Sequence, residues 1–304
     1  MKKFSALLLS LVLAFSAVAQ DSEPYQVKVS SPNGAPALSL AALAEQNPEN
    51  YTYVAAEAIS AEFANNTADF IVAPVNAGAK LYKMGKSTYK LAAVVTWGNL
   101  YFASQKKNFK LKDIKKSEIT LFGENTINAS VALAALEKTK LTAKNVAYLG
   151  SAAATQSLLL SDSDAIVLTA EPALTAAKMK NPKITAYPLN DLFKKATGFS
   201  GFAQAGLFVR AETIEQNPHI VEDFLVRAEE SCEKCKKDVA AVARAAVALE
   251  ILPSENIALS AIPNCAIRFE SAQEARKQVE ATANIDLKQF GGVLPADDFY
   301  YGEK

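Results

Sequence analysis

Short apolar runs typical of β-strands alternate with longer runs of helical spacing along most of the chain. The strand-like runs are rich in Val, Ile, Leu and Tyr, and Gly, Pro, Asn or Asp follows many of them. This alternation predicts an α/β fold in which crossover helices connect parallel strands. Strands are predicted at Tyr25–Val29, Tyr51–Ala55, Asp69–Ala73, Leu91–Thr96, Glu118–Phe122, Val146–Leu149, Ala165–Thr169 and Ala203–Arg210. Helices are predicted at Ala37–Gln46, Ile59–Ala64, Ala77–Met84, Ile127–Thr139, Ala153–Leu160 and Pro172–Lys180, followed by a long helical region from Glu212 to Leu252.

Two segments divide this pattern into lobes. A polar, lysine-rich stretch, Lys106–Ser117, follows the fourth β/α unit and is typical of a connector. A later strand-like run, Ala203–Arg210, leads into the long helical region. We therefore predict a first lobe built from residues 20–115 and 211–304, with a second lobe of residues 116–210 between them. Two connections between two lobes form a two-segment hinge beside a central cleft.

Small residues, Asn and Thr directly follow five of the predicted strands. In open α/β sheets ligands bind beyond the carboxyl ends of the strands, where helix N-termini present unpaired N–H groups and a partial positive charge. Five such turns on two hinged lobes predict one shared ligand-binding cleft. The turns are Pro32–Pro36, Ala73–Gly78, Thr96–Asn99, Gly123–Thr126 and Thr169–Pro172.

The chain begins with the features of a secretory signal peptide. Lys2 and Lys3 precede the apolar run Phe4–Phe15, and Ala17–Ala19 is a small-residue cleavage motif. The run is shorter than the ~20 apolar residues that a membrane-spanning helix needs. No cysteine follows it directly that could carry a lipid anchor. We therefore predict cleavage after residue 19, and a protein that is exported to the periplasm.

Charge is balanced over the whole sequence, with 32 basic and 32 acidic residues. Neither a basic stripe nor an acidic tail interrupts this balance. Proteins that bind nucleic acid or anionic membranes by electrostatic attraction carry such clusters. We therefore expect no nucleic-acid partner and no attachment to a membrane surface.

Several short motifs occur in an informative order. They are P-x-G-x-P-A-L-x-L at Pro32–Leu40, A-D-F-x-V-A-P at Ala68–Pro74, L-K-D-I-K-K-S-E-I-T-L-F-G at Leu111–Gly123, the dipeptide Glu171-Pro172, and G-G-V-L-P-A-D-D-F-Y-Y at Gly291–Tyr301. In this order they resemble bacterial ABC-transporter substrate-binding proteins of the nitrate, sulfonate and taurine type, a group that also contains thiamine-precursor and riboflavin binders. The resemblance implies the two-lobed, type 2 periplasmic-binding-protein fold. It also implies a monomer that captures a small molecule and delivers it to an ABC-transporter membrane permease.

The resemblance also assigns the residues that face the ligand, without any cofactor or metal. We expect Trp97 to lie at the mouth of the cleft and Glu171 to accept a hydrogen bond from the ligand. The turns contain no Arg or Lys, although Lys80 lies one helical turn beyond one of them. This composition favours a neutral or cationic heterocycle (a thiamine precursor, a pyrimidine or a flavin), and a small anion remains open. The candidates are Asn33, Gly34, Pro36, Asn76, Ala77, Gly78, Trp97, Asn125, Thr126, Glu171 and Gln204.

Catalytic patterns are sparse in this sequence. His219 is the only histidine, and its context, NPHIVEDFL, indicates the first turn of a solvent-facing helix. We find no Ser/His/Asp arrangement, phosphate-binding loop or histidine-containing zinc pattern. The sequence therefore predicts a binding protein rather than an enzyme. A biosynthetic enzyme built on the same fold is the alternative.

Three cysteines leave several interpretations open. Cys232 and Cys235 have the spacing of a redox or metal motif, but they lie inside a helical pattern and no second pair exists. In an oxidising compartment Cys265 could form a disulfide with one of them. Three buried free thiols are the remaining interpretation. At the C-terminus, Phe299–Tyr301 is expected to pin the end of the chain to the first lobe.

Overall fold

The computed structural model describes residues 25–302. The predicted signal peptide, residues 1–19, lies outside the described residues. The strands are β1 (Val29–Pro32), β2 (Tyr51–Val54), β3 (Phe70–Pro74), β4 (Lys90–Thr96), β5 (Leu100–Ser104), β6 (Glu118–Phe122), β7 (Asn145–Leu149), β8 (Ile166–Ala170), β9 (Thr185–Pro188), β10 (Ala205–Val209) and β11 (Ile267–Ser271).

Helices occupy most of the intervals between these strands. They are α1 (Ala35–Ser39), α2 (Ala41–Ala44), α3 (Ile59–Asn65), α4 (Val75–Lys83), α5 (Ile127–Lys138), α6 (Ala152–Ser161), α7 (Ala173–Lys180), α8 (Leu189–Thr197), α9 (Ala211–Gln216), α10 (Pro218–Lys237), α11 (Val239–Ala248), α12 (Glu255–Ala261) and α13 (Ala272–Ala283). None of the helices within residues 25–302 has the length and apolar character needed to cross a membrane.

The strands form two sheets, which confirms the predicted α/β class. The first sheet has the order β11-β4-β10-β3-β1-β2, and the second has the order β7-β6-β8-β5-β9. Strands β1, β2 and β3 are parallel, as are β6, β7 and β8. The strands β10 and β5 run antiparallel to their neighbours. Each is the first strand after the chain has changed sheets.

We call the first sheet with its packed helices the first lobe, and the second sheet with its helices the second lobe. The chain enters the second sheet between Thr96 and Leu100, and it re-enters the first sheet between Pro188 and Ala205. Both changes lie earlier in the chain than the predicted boundaries at residues 115 and 210. The lysine-rich stretch expected to connect the lobes instead follows β5 and contains a 3-10 helix at Leu111–Lys116.

Both faces of the first sheet are buried. In β3, Phe70 and Val72 pack with α10 and α11 on one face, whereas Ile71 and Ala73 pack with α3, α4 and α13 on the other. Strands that are buried on both faces are apolar at every position, which explains why the β3 sequence shows no alternation. The ring of Phe70 stacks on that of Phe224 in α10, with ring centroids 4.0 Å apart.

A buried carboxylate ties the beginning of the described chain to this lobe. Asp69, which is 3% exposed, accepts hydrogen bonds from the hydroxyl of Tyr25 at 2.6 Å and the backbone N–H of Lys28 at 2.9 Å. The side chains of Thr213 and Arg210 donate to it at 2.8 and 3.1 Å. The first strand begins directly after residues 25–28, at Val29–Pro32, rather than at the predicted Tyr25–Val29.

The C-terminal segment is docked on the first lobe, as predicted. The backbone N–H of Tyr301 donates to the carbonyl oxygen of Leu91 in β4 at 2.8 Å, and Tyr300 forms a β-bridge with the same residue. The side chains of Phe299 and Tyr300 are buried.

Candidate functional site

Helix N-termini from the two lobes meet between the sheets. The first is that of α1, which begins after Gly34 at the end of β1. Gly34 has φ +98°, a conformation that favours glycine. A Cβ atom there would lie 3.9 Å from Cδ of Pro172, at the start of α7 in the second lobe. The chain therefore turns at Pro32–Gly34 so that the first helix of one lobe starts beside a helix of the other.

Two segments cross between the lobes: the first crossing segment is Trp97–Asn99 and the second is Gly201–Gln204. They lie side by side. The backbone N–H of Gln204 donates to the carbonyl oxygen of Thr96 at 3.1 Å. Its side-chain Oε1 accepts a hydrogen bond from the backbone N–H of Asn99, also at 3.1 Å. Its own carbonyl oxygen accepts from the backbone N–H of Val75, the first residue of α4. Gln204 thus joins both crossing segments to a helix N-terminus.

Asn190 fastens the first crossing segment to the second lobe. Its Nδ2 donates to the carbonyl oxygens of Trp97 and Gly98, at 2.8 and 2.7 Å. Gly98 has φ +78°, and the side chains of Asn190 and Phe202 fill the space where a Cβ atom would stand. Sequence reasoning missed Asn190 because the helix that carries it, α8, was not predicted.

Trp97 does not lie at the mouth of the cleft, so this expectation is wrong. Its side chain is 1% exposed and belongs to the hydrophobic core. The indole Nε1 donates to the carbonyl oxygen of Arg268 at 2.9 Å, and the guanidinium of Arg268 covers the ring at 4.3 Å from its centroid. Arg268 belongs to the neighbouring strand β11, which was also not predicted.

Glu171 is buried at the end of β8, where it is 4% exposed. Its Oε2 accepts from the backbone N–H of Thr175 and its Oε1 from the hydroxyl of Thr175, both at 3.0 Å. Burial raises the pKa of Glu171 above its ordinary value, while the hydrogen bonds from Thr175 act in the opposite direction. Both carboxylate oxygens therefore accept hydrogen bonds from Thr175, in the first turn of α7. The hydrogen bond that we predicted from a ligand to Glu171 stays a prediction.

The backbone of Glu171 is held by the first crossing segment. Its N–H donates to the carbonyl oxygen of Asn99 at 3.0 Å, and Nδ2 of Asn99 donates back to the carbonyl oxygen of Glu171 at 2.8 Å. The peptide bond between Glu171 and Pro172 is cis. Asn99 lies in a turn that the sequence singled out, although it was not among the candidate residues.

Amide side chains dominate the place where these elements meet. Nε2 of Gln204 donates to Oδ1 of Asn128, in the first turn of α5, at 3.4 Å. Asn76 follows Val75, which is bonded to Gln204. The buried atoms Asn76 Oδ1, Asn99 Oδ1 and Asn190 Oδ1 have no hydrogen-bond partner among the described residues. Buried polar groups are nearly always hydrogen-bonded in folded proteins, so these unpaired atoms are unusual.

The other candidate residues of the first lobe occupy the same edge of the sheet. Asn33 is exposed, and its backbone N–H donates to the carbonyl oxygen of Val54 at 3.2 Å. Pro36 is in the first turn of α1, and Ala77 is half-buried in α4. Gly78 has a packing role, because the ring of Phe208 occupies the space beside its Cα.

In the second lobe, the candidates Asn125 and Thr126 begin α5. Oγ1 of Thr126 caps the helix by accepting from the backbone N–H of Ala129 at 3.5 Å. Asn125 is exposed at φ +59°, and its carbonyl oxygen accepts from Nε2 of Gln289 at 2.8 Å. Since Gln289 follows α13, this hydrogen bond connects the second lobe with the first.

Further contacts bridge the lobes on either side of the crossing segments. The hydroxyl of Ser130 donates to Oδ2 of Asp286 at 2.7 Å. The hydroxyl of Tyr101 in β5 donates to the carbonyl oxygen of Asn264 at 2.9 Å. The two lobes are therefore in direct contact around the cluster of amides.

All three cysteines are buried and have free thiols. Burial raises the pKa of Cys235 to about 12 and the pKa values of Cys232 and Cys265 well above the ordinary value. Of the interpretations left open, the structure matches three free thiols. His219 is exposed in the first turn of α10, as predicted. Residues 25–302 contain no group of three or more His, Cys, Asp or Glu side chains that could hold a metal ion.

The sequence matches no protein-family model and no curated protein. Solved structures are nevertheless similar to it over almost their whole length. An ABC transporter protein from Parabacteroides distasonis is 24% identical, with 91% of this chain and 99% of that one covered and a TM-score of 0.78. The periplasmic aliphatic sulphonate-binding protein SsuA from Escherichia coli is 12% identical, with 92% and 93% covered and a TM-score of 0.70.

The similarity extends beyond transport proteins. The CA3427 gene product of Candida albicans, described as having the generic periplasmic-binding-protein fold, covers 91% of this chain at 12% identity, over 93% of its own length and with a TM-score of 0.55. DszB, solved with biphenyl-2-sulfinic acid and known as an enzyme, covers 91% of this chain at 13% identity, over 96% of its own length and with a TM-score of 0.62. At these identities the similarity establishes the fold.

Proposed function

We propose that this chain, which has the periplasmic-binding-protein fold, is an exported solute-binding protein that captures a small molecule between its lobes. It would deliver that molecule to the membrane permease of an ABC transporter. One observation carries the proposal: the crossing segments hold side chains and helix N-termini from both lobes in one cluster, which includes buried polar atoms without partners. Ligand sites of open α/β sheets occur at such strand ends.

The lobes of the proposal follow the two sheets. The first lobe would comprise residues 25–96 and 205–302, and the second lobe would begin near Leu100. The crossing segments at Trp97–Asn99 and Gly201–Gln204 would act as the hinge. Ligand binding would favour the closed arrangement of the lobes, because the ligand then contacts both of them.

Export is a further part of the proposal. It is supported by the basic start, the apolar run and the small-residue motif of residues 1–19. The balanced charge and the solute-binding role fit a monomer that works without nucleic acid. A heterocycle such as a thiamine precursor, a pyrimidine or a flavin is one ligand class, and a small anion is the other.

A biosynthetic enzyme on the same fold is the alternative, and the neighbour DszB is an enzyme that shares this fold. Few of the described residues have the side chains and the exposure that a catalytic group of such an enzyme would need. The only histidine is exposed and the three thiols are buried with raised pKa values. The buried carboxylate of Glu171 is bonded to Thr175 through both oxygens. We therefore propose binding without turnover.

Native mass spectrometry of protein purified gently from the periplasmic fraction tests this function. We expect a single small-molecule adduct that is lost on denaturation and regained, chemically unchanged, when the refolded protein is mixed with it. Protein refolded from urea serves as the ligand-free control. Chemical conversion of the released molecule by the refolded protein would instead support the enzyme.

A further inference from the structure

Large apolar side chains are exposed together on the first lobe. Leu287, Val293 and Leu294 are 36, 43 and 40% exposed, and all three lie in one short stretch of the chain. Met84, which directly follows α4, is 50% exposed. Single exposed apolar side chains are normal on a protein surface, whereas a contiguous group of them marks an interaction site.

The two stretches that carry these side chains lie against each other. A Cβ atom on Gly291 would lie 3.4 Å from Cγ of Lys83, in the last turn of α4. The hydroxyl of Tyr82 donates to Oδ2 of Asp298 at 3.0 Å. The second half of α4 and the segment from Leu287 to Asp298 therefore form one continuous surface, which we call the α4 surface.

A groove with a volume of about 210 Å³ runs along the α4 surface. The rings of Phe290 and Phe299, each 1% exposed, form its base. A cavity of about 150 Å³ holds a benzene ring, so this groove has room for one large apolar side chain. Its lining residues all belong to the first lobe, so its shape does not depend on how the lobes are arranged. The apolar lining consists of Ala79, Tyr82, Phe290, Leu294, Pro295 and Phe299.

Lysines border this groove without ion-pair partners. No acidic residue occurs between Val75 and Lys90, a stretch that includes all of α4. Lys83 itself lines the groove. The exposed lysines that form no ion pair among the described residues are Lys80, Lys83, Lys86 and Lys288.

The carboxylates beside the groove, in contrast, already have partners. Asp298 accepts the hydrogen bond from Tyr82, and Asp297 pairs with Arg276 of α13. The groove is therefore an apolar centre with positive charge at its rim. Protein interfaces commonly have this anatomy, and complementary charge on the partner speeds encounter and fixes the orientation of binding.

We infer that the α4 surface binds a different protein, through a segment in which a large apolar side chain is flanked by acidic residues. The apolar side chain enters the groove beside Leu294 and Phe299, and Lys83 and the neighbouring lysines attract the acidic residues. Since no residue of the amide cluster lines the groove, this inference goes beyond the proposed ligand site and does not depend on it.

A library of random peptides displayed on phage tests the chemistry of this partner. The library is panned against the purified protein, and the most enriched peptide is synthesised and titrated by fluorescence polarisation. We expect enriched sequences to combine a large apolar residue with Asp or Glu, and their binding to weaken as added salt screens the charges. No enrichment, enrichment of basic sequences, or binding that salt does not weaken would overturn the inference.

Substitutions then show whether the enriched peptide occupies the α4 surface. Leu294→Asp and Lys83→Glu should each raise its Kd at least about tenfold, because one places a charge beside the groove and the other reverses a charge at its rim. The matched controls are Leu259→Asp, at a leucine of α12 that is 41% exposed, and Lys236→Glu, at an exposed lysine of α10. Both should leave the Kd within about twofold of the wild type.

All four variants change exposed side chains, so each should melt within about 2 °C of the wild type. Melting temperatures therefore separate a lost contact from a lost fold. Unchanged peptide binding in Leu294→Asp and Lys83→Glu would show that the peptide binds elsewhere, which would overturn the inference.

Two other occupants of the α4 surface would give different results. Vesicles of phosphatidylglycerol and phosphatidylcholine that bind the wild type but not Leu294→Asp would show that the surface meets a membrane. A wild-type dimer in analytical ultracentrifugation that is absent in Leu294→Asp would show that a second copy of this chain covers it. We expect neither result, and either one would overturn the assignment to a different protein.

Discussion

The backbone N–H of Asn99 donates a hydrogen bond to Oε1 of Gln204 at 3.1 Å, so a side chain of one crossing segment holds the backbone of the other. We expect Gln204→Leu to lower the free energy of unfolding by about 1–3 kcal/mol, because the N–H of Asn99 then has no acceptor. Urea unfolding measures this change. Gln216→Leu, on the exposed side of α9, is the control and should change stability by less than about 0.5 kcal/mol.

Gly98 should tolerate no side chain. Its φ of +78° strains any other residue, and the side chains of Asn190 and Phe202 fill the space beside its Cα. We expect Gly98→Ala to cost about 2–4 kcal/mol in urea unfolding, from backbone strain and overpacking together.

Gly85 separates these two causes. It also has positive φ, at +65°, but apart from its chain neighbours no described atom lies within 4 Å of the point where a Cβ atom would stand. Gly85→Ala should therefore cost only about 1 kcal/mol, the cost of the strained backbone alone. Equal losses in the two variants would contradict the close packing at the hinge.

Asp69→Ala should be among the most destabilising single changes. It leaves Arg210 without its carboxylate and removes the acceptor for Tyr25, Lys28 and Thr213. The expected loss in urea unfolding is about 3–5 kcal/mol, as for other broken buried ion pairs. Glu233→Ala breaks the exposed pair with Lys237 and should cost no more than about 0.5 kcal/mol. Similar losses in both variants would argue against the buried network.

Glu171 should make the protein less stable as pH rises. Since burial raises its pKa in the folded state above the ordinary 4.5, the folded protein holds a proton there that the unfolded chain has released. Stability then falls with rising pH between these two pKa values, by up to about 1.4 kcal/mol per pH unit, and levels off above the folded pKa.

The variant Glu171→Gln has no such proton and isolates the effect. The difference in unfolding free energy between this variant and the wild type should shift in favour of the variant as pH rises from below the ordinary pKa of 4.5 through the raised pKa of Glu171. Unfolding in urea at several pH values measures it. A shift in favour of the wild type would show that the hydrogen bonds from Thr175 outweigh burial.

The thiols should be unreactive until the protein unfolds. Each is buried with a raised pKa, so little thiolate exists at neutral pH. We expect no reaction of native protein with a thiol reagent, and three reactive thiols after denaturation without reductant. A single thiol after denaturation would reveal a disulfide and contradict the structure.

The sequence predicted those parts of the fold that depend on local pattern. The helix expected at Ile127–Thr139 is observed at Ile127–Lys138, because Thr126 supplies the cap that marks its start. Strand β3 lies within one residue of its predicted bounds, since a continuous apolar run between turn residues identifies a doubly buried strand. Four of the five predicted turns begin helices, namely α1, α4, α5 and α7, whereas the turn Thr96–Asn99 leads into strand β5.

Features that depend on distant parts of the chain were not predictable. Trp97 looks exposed in the sequence because it follows a strand and precedes Gly98, but Arg268 covers it from 171 residues away. The strand that carries Arg268, β11, is half-buried and pairs at the edge of the first sheet, so its apolar pattern is weak. Glu171 is different, because its partner Thr175 stands only four residues later, within the same local segment of the chain.

The arrangement of the strands sets the order in which the protein can fold as it is synthesised. All five strands of the second sheet have been made once Pro188 has emerged, and they come from one continuous stretch that begins at Leu100. The first sheet cannot be completed until β10 and β11 follow, because β10 lies between β3 and β4. A growing or translocating chain would therefore assemble its middle first and keep the edges of β3 and β4 open. Until Ala205–Val209 arrives, these exposed strands are where premature pairing with another chain would occur.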